Sequence, residues 1–235
     1  MTTTQPDDFD VATALTQVRE RIAAAAHAVD RDPASITLVA VSKTKPAALV
    51  AKALDADQRD FGENYLQDAL AKIESLADRE PLWHFIGDIQ SNKTRDIASS
   101  FAWVHAVDRF KIARRLSDQR PEGMAPLNLC IQVNIDGEDS KSGLAPEQVA
   151  ELADQIATLD NVKLRGLMAI PAPADDPEAQ RRPFAALRTL LKDLNANGHT
   201  MDTLSMGMSA DLEAAIAEGA THVRVGTAIF GARTA

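Results

Sequence analysis

One cysteine stands in 235 residues. No internal disulfide can form, and Cys130, set inside the apolar run LNLCIQVNI, reads as a small buried hydrophobe in a reducing compartment. No stretch approaches the roughly 18 consecutive apolar residues of a membrane span. The opening MTTTQPDDFD carries acid where a signal peptide needs basic charge, so the expected location is cytoplasmic. Basic residues are outnumbered, 25 Lys and Arg against 34 Asp and Glu, for a formal net charge of -9. A nucleic-acid backbone would be repelled over most of such a surface, which argues against a nucleic-acid partner held by general electrostatics. A Gly/Ser-rich linker and low-complexity runs are also missing, so nothing divides the chain into separate domains.

What is present is 45% hydrophobic and 25% charged, enough to bury a sizeable core. Eight short apolar runs alternate with helical stretches: ITLVAVS (36–42), RDFGEN (59–64), LWHFIG (82–87), FAWVHAV (101–107), LNLCIQVNI (127–135), VKLRGLMAI (162–170), TLSMG (203–207) and HVRVGT (222–227). Several are apolar at nearly every position, as parallel strands covered on both faces require. An amphipathic, Ala-rich segment, FDVATALTQVRERIAAAAHAV, precedes them all. Eightfold strand–helix alternation after one extra helix predicts an α/β fold, a single (β/α)8 TIM barrel, over residues 9–235, with residues 1–8 a flexible N-terminus. An open doubly wound sheet is the structural alternative. Pro46 and Pro146 suit first-turn helix positions. IPAPADDPEAQRRP (170–183) reads as a long loop inside the domain, and the eighth run leads only into a short tail.

The C-terminal rim of such a barrel is its working end. Asn64 follows the second run, Met206 and Ser209 the seventh, and Arg224, Gly226 and Thr227 belong to the eighth. In GMSADLEAAIAEG, Ser209 sits where an N-cap belongs, and Gly226 with Thr227 offers a close-approach backbone and a hydroxyl one strand away. Small hydroxyls and backbone N–H groups on the last two strands suit the phosphate of a ligand. Lys43 and Lys45 face the same side of an extended segment. Position separates them. Lys43 follows the apolar run at once, where desolvation would favour the neutral amine that condenses with an aldehyde. Lys45 precedes Pro46 and is expected to point to solvent. His84, inside LWHFIG, reads as a packed barrel histidine, and Lys141 in GEDSKSG as a loop charge.

The stretches LVAVSKTKP, FGENYLQDA, WHFIG with QSNKTR, VHAVDR, VNIDGEDSKSG, RGLMAIPAP and LSMGMSADLEAAIAEGATHVRVGTAIFGAR cover nearly the whole chain. In that order they resemble the pyridoxal phosphate homeostasis protein family, relatives of the barrel domain of fold-type III enzymes such as alanine racemase. The resemblance implies that Lys43 carries pyridoxal 5'-phosphate (PLP) as a Schiff base. It implies phosphate contacts from Ser209, Gly226 and Thr227, and Arg224 against the pyridine nitrogen, with Asn64 and Met206 lining the cofactor. GDIQSNK departs mildly from the commonest family wording at Asp88.

A PLP-dependent amino-acid racemase is the competing activity. Racemisation needs an acid/base group on each face of the carbanion. The chain has a single tyrosine, Tyr65, and in the racemases the second base arrives from an additional C-terminal β-domain, for which a barrel ending near residue 231 leaves no room. The resemblance therefore implies a non-catalytic PLP carrier that helps regulate intracellular vitamin B6. It would be a monomer, with PLP-dependent apoenzymes as candidate partners.

Overall fold

All eight apolar runs become strands: β1 Thr37–Val41, β2 Asp60–Glu63, β3 Leu82–Phe85, β4 Trp103–Val107, β5 Leu127–Gln132, β6 Val162–Met168, β7 Thr203–Ser205 and β8 His222–Val225. Each pairs in parallel with the next, and β8 returns to β1, closing the barrel. The structure is a computed structural model and describes residues 10–138 and 142–232. The expected flexible stretch at residues 1–8 and Lys141 lie outside the described residues.

Parallel pairing forces a helical return after each strand. These are α2 Ala47–Asp55, α3 Leu66–Ser75, α4 Thr94–Ser100, α5 Phe110–Asp118, α6 Val149–Ala157, α7 Pro177–Ala196, α8 Leu212–Ala217 and α9 Thr227–Phe230, after the leading α1 Val11–His27. The leading helix has a structural task. The return after β8 is only four residues long, too short to cover the barrel, and α1 packs against α2, α8 and α9 in its place. Its buried stripe of Val11, Leu15, Val18, Ile22, Ala25 and Ala26 has helical spacing. Asp10 caps it, accepting from the Thr13 amide at 3.0 Å. Arg31 fastens the far end by donating to the carbonyls of Ile216 and Ala220, each at 2.8 Å.

Three expectations about punctuation need correction. Residues 170–183 are not all loop: Asp176 accepts from the Ala179 amide and α7 begins at Pro177, so Pro183 lies inside the helix. A proline at N1 and an acidic cap start the helix early enough to absorb the second proline within its first two turns. Pro46 is the N-cap of α2 rather than its first residue. The segment after β8 forms α9 rather than a tail.

Register decides what fills the barrel. Thr37 pairs with His222 and Val39 with Arg224. The rings of His84, His105, His222 and Trp103 meet across the interior, Trp103 and His222 with centroids 4.9 Å apart. His84 is fully buried, as a packed barrel histidine should be. Phe61, Trp83 and Phe85 alternate with the inward-facing His84 on β2 and β3, and Phe85 packs edge to face on Phe101, the C-cap residue of α4.

Candidate functional site

At the end of β1 the chain is pinned before it reaches Lys43. The Ser42 amide donates to the Gly62 carbonyl at 3.0 Å, and the Ser42 hydroxyl donates to Glu63 Oε1 at 2.6 Å. The Ser42 carbonyl accepts from Lys72 Nζ at 2.7 Å. Every polar group of residue 42 is thus engaged, and the half-buried Lys43 leaves from a fixed point on the rim. Thr44 follows in the left-handed region at φ 62°, a conformation that strains a β-branched residue and turns the chain sharply. Lys45 does not point freely to solvent. Its ammonium donates to the Ala232 carbonyl at 2.7 Å, and partial burial lowers its pKa. The two lysines that sequence periodicity could not separate therefore differ: Lys45 ties α2 to the segment after α9.

Arg224, on β8, is buried inside the barrel. It donates from Nη1 to Ser205 Oγ at 2.6 Å and from Nη2 to the Ala169 carbonyl at 3.0 Å. A guanidinium has five N–H donors and no acceptor, so donors remain for a ligand at the rim. Burial lowers its pKa to about 10, which leaves it charged at neutral pH.

Ser209 is not an N-cap. The cap of α8 is Asp211, whose carboxylate accepts from the Met208 amide at 2.6 Å and closes the turn of residues 208–211. Ser209 lies half-buried in that turn, and its carbonyl accepts from Arg21 Nη2 at 3.2 Å. Across from it, Gly226 is the N-cap of α9 and Thr227 its exposed first residue. A helix start leaves its first N–H groups without intrahelical partners. A Cβ at Gly226 would come within 3.1 Å of the Val41 carbonyl, so the β8 turn lies against the strand that carries Lys43. The bond from the Arg224 amide to the Gly207 carbonyl, 2.9 Å, joins the β7 and β8 ends. Met206 is wholly buried, its amide donating to the His222 carbonyl at 3.1 Å.

On the opposite flank, Asn64 is held against Gly87, where an added Cβ would lie 2.5 Å from the Asn64 carbonyl oxygen. Its side-chain oxygen Oδ1 is buried without a hydrogen-bond partner. It borders a cavity of about 640 Å³ lined also by Tyr65, Asp88, Lys93 and Ile170. The rim thus gathers Lys43, Arg224, Gly226 and Thr227 at the C-terminal ends of the adjacent strands β1 and β8, with Ser209 and Met206 on one side and Asn64 on the other. Amine, buried cation, small-residue turn and orphaned amide suit an anionic aromatic aldehyde. Sequence reasoning missed Lys72, although its signal was present: with Leu66 and Ala69 it lies on the buried stripe of α3, where an unpaired charge would be costly.

The chain matches the family model for the alanine racemase N-terminal domain over residues 14–234. It is 61% identical over 223 residues to a pyridoxal phosphate homeostasis protein of Pseudomonas aeruginosa, covering 95% of this chain and 96% of that one. A namesake from Escherichia coli strain K12 is 51% identical over 227 residues, covering 95% and 97%. Among solved structures, PipY of Synechococcus elongatus with PLP bound superimposes with TM-score 0.83 at 36% identity, covering 94% of this chain and all of that one. Alanine racemase of Corynebacterium glutamicum shares the fold, with TM-score 0.70 at 15% identity, and this chain spans 62% of its length.

Proposed function

Because the chain belongs to the pyridoxal phosphate homeostasis protein family, built on a barrel of the alanine racemase N-terminal type, we propose that it holds pyridoxal 5'-phosphate reversibly as a Schiff base on Lys43. It buffers the intracellular cofactor pool as a monomer in the cytoplasm, without appreciable catalysis, and PLP-dependent apoenzymes are its candidate partners. The observation that carries the reading is the convergence of the β1 and β8 ends. Lys43 leaves a fully engaged Ser42 at the end of β1, which pairs with the strand of the buried Arg224, and a Cβ at Gly226 would lie 3.1 Å from the Val41 carbonyl.

When bound, PLP supplies an aldehyde for the amine and an electron-withdrawing pyridine ring. Lys43 is the amine. Ser209, Gly226 and Thr227 hold the phosphate, with backbone N–H groups and hydroxyls as donors. Met206 and Asn64 border the ring. Arg224 faces the ring nitrogen and, staying protonated, can only donate to it, which keeps the pyridine uncharged and the electron sink weak. The second acid/base group of a racemase is not supplied here by a confined tyrosine: Tyr65, the single tyrosine, is the N-cap of α3 and 54% exposed at the cavity that Asn64 borders. An open site gains neither confinement nor a second proton donor.

Two measurements test this. The purified or reconstituted protein should absorb near ~420 nm, as expected of the cofactor linked to an amine; a protein that cannot be brought to do so contradicts the reading. Incubation with single L-amino acids should leave them unchanged, whereas steady formation of the D-enantiomer at ordinary enzymatic rates would establish a racemase instead.

A further inference from the structure

Beneath Arg224 a row of buried polar groups runs the length of the barrel. Ser205 Oγ, which accepts from Arg224 Nη1 at 2.6 Å, lies 2.7 Å from His105 Nδ1. His105 Nε2 lies 3.0 Å from His84 Nδ1, and His84 Nε2 lies 2.9 Å from Asp60 Oδ1 at the opposite mouth. Ser205, His105 and His84 are closed to solvent, and Asp60 is one-quarter exposed.

The two ends set the direction of every bond between them. A guanidinium only donates and a carboxylate only accepts. His84 therefore carries its proton on Nε2, facing Asp60, and its Nδ1 accepts from His105 Nε2–H. His105 Nδ1 is then an acceptor, and the Ser205 hydroxyl, already accepting from Arg224, donates to it. The reverse polarity would set a lone pair of His84 against the Asp60 carboxylate and leave the serine proton without this acceptor. Aligned bonds of this kind polarise and strengthen one another. Burial lowers the pKa of both rings, that of His105 furthest, in accord with two neutral imidazoles.

We propose that Ser205, His105 and His84 are positioning residues: a one-way hydrogen-bond chain, Arg224 to Ser205 to His105 to His84 to Asp60, clamps the guanidinium in the orientation from which it meets its ligand. The consequence for the cofactor rests on Arg224 facing the pyridine nitrogen. The chain itself stands without any ligand.

The test begins on the ligand-free protein, with long-range proton–nitrogen correlation spectra of its labelled histidines and arginines at neutral pH. His84 and His105 should both be neutral and protonated on Nε2, and the Arg224 Nη groups should rotate slowly. An Nδ1–H or doubly protonated ring at either position, or a freely rotating Arg224, overturns the proposal. With Arg224 uncoupled by Ser205→Ala and the carboxylate removed by Asp60→Ala, the double variant should populate the other tautomer in both rings, whereas an unchanged single tautomer in both overturns the assigned polarity. Ser205→Ala should free the Arg224 rotation and weaken PLP binding about threefold to tenfold; an unaltered rotation overturns the clamp. If the parent shows the stated tautomers and slow rotation yet never takes up PLP, the chain stands and the reading of the site fails.

Discussion

Lys72 Nζ lies 2.6 Å from Glu63 Oε1, with the lysine side chain 7% exposed and the carboxylate wholly buried. Burial pushes the Glu63 carboxyl above its usual range, against the opposing pull of Lys72. The pair meets Ser42 at its hydroxyl and at its carbonyl, so it anchors the residue from which Lys43 departs. Losing one partner strands the other charge in a dry site. Lys72→Met should lower stability in urea unfolding by about 3–5 kcal/mol, and adding Glu63→Leu should restore most of that loss.

Lys45 gives a contrasting outcome. Its contact with the Ala232 carbonyl is partly exposed, so Lys45→Ala should cost under about 1 kcal/mol. PLP capture, followed by absorbance, should persist. Lys43→Ala should abolish that absorbance while leaving the thermal unfolding midpoint close to the parent's.

Gly87 and Asn64 are packed without spare room. A methyl group at residue 87 would press on the Asn64 carbonyl oxygen and Cα, 2.5 and 2.7 Å away. Gly87→Ala should therefore displace Asn64 and destabilise the fold by about 1–3 kcal/mol. PLP titration should show weaker binding than for the parent under the same conditions.

The buried histidines predict a pH dependence with a definite sign. Burial brings the His222 pKa from 6.5 to about 4, and nearby His84 lowers it as well. The unfolded chain then binds the additional proton between those values, so the contribution of this ring is full above pH 6.5 and is lost as pH falls through about 4. The parent should lose about 1 kcal/mol per pH unit more than His222→Gln between about pH 6 and 5, measured by urea unfolding. Equal slopes would contradict a neutral buried ring.

The barrel was legible because parallel strands covered on both faces announce themselves as apolar runs, and all eight were found within two or three residues of their observed ends. Asp211 displaced Ser209 as the α8 cap because both are good capping residues, and only the closed turn back to Met208 distinguishes them. The histidine chain was not legible. His84, His105 and Ser205 lie on three different strands, and their contact depends on barrel closure and register, neither of which local periodicity encodes. Lys43 was separable from Lys45 only by position in the sequence. The structure adds a physical distinction, the Lys45 contact with Ala232.

The central claim is that Lys43 is the amine that captures PLP. Borohydride reduction of the PLP-loaded protein, followed by peptide mass spectrometry, tests it directly by locating the reduced pyridoxyl group. The account predicts one modified residue, Lys43, and no adduct in Lys43→Ala. A pyridoxyl group found chiefly on Lys45, Lys72 or any other residue, or none at all after loading, would contradict it.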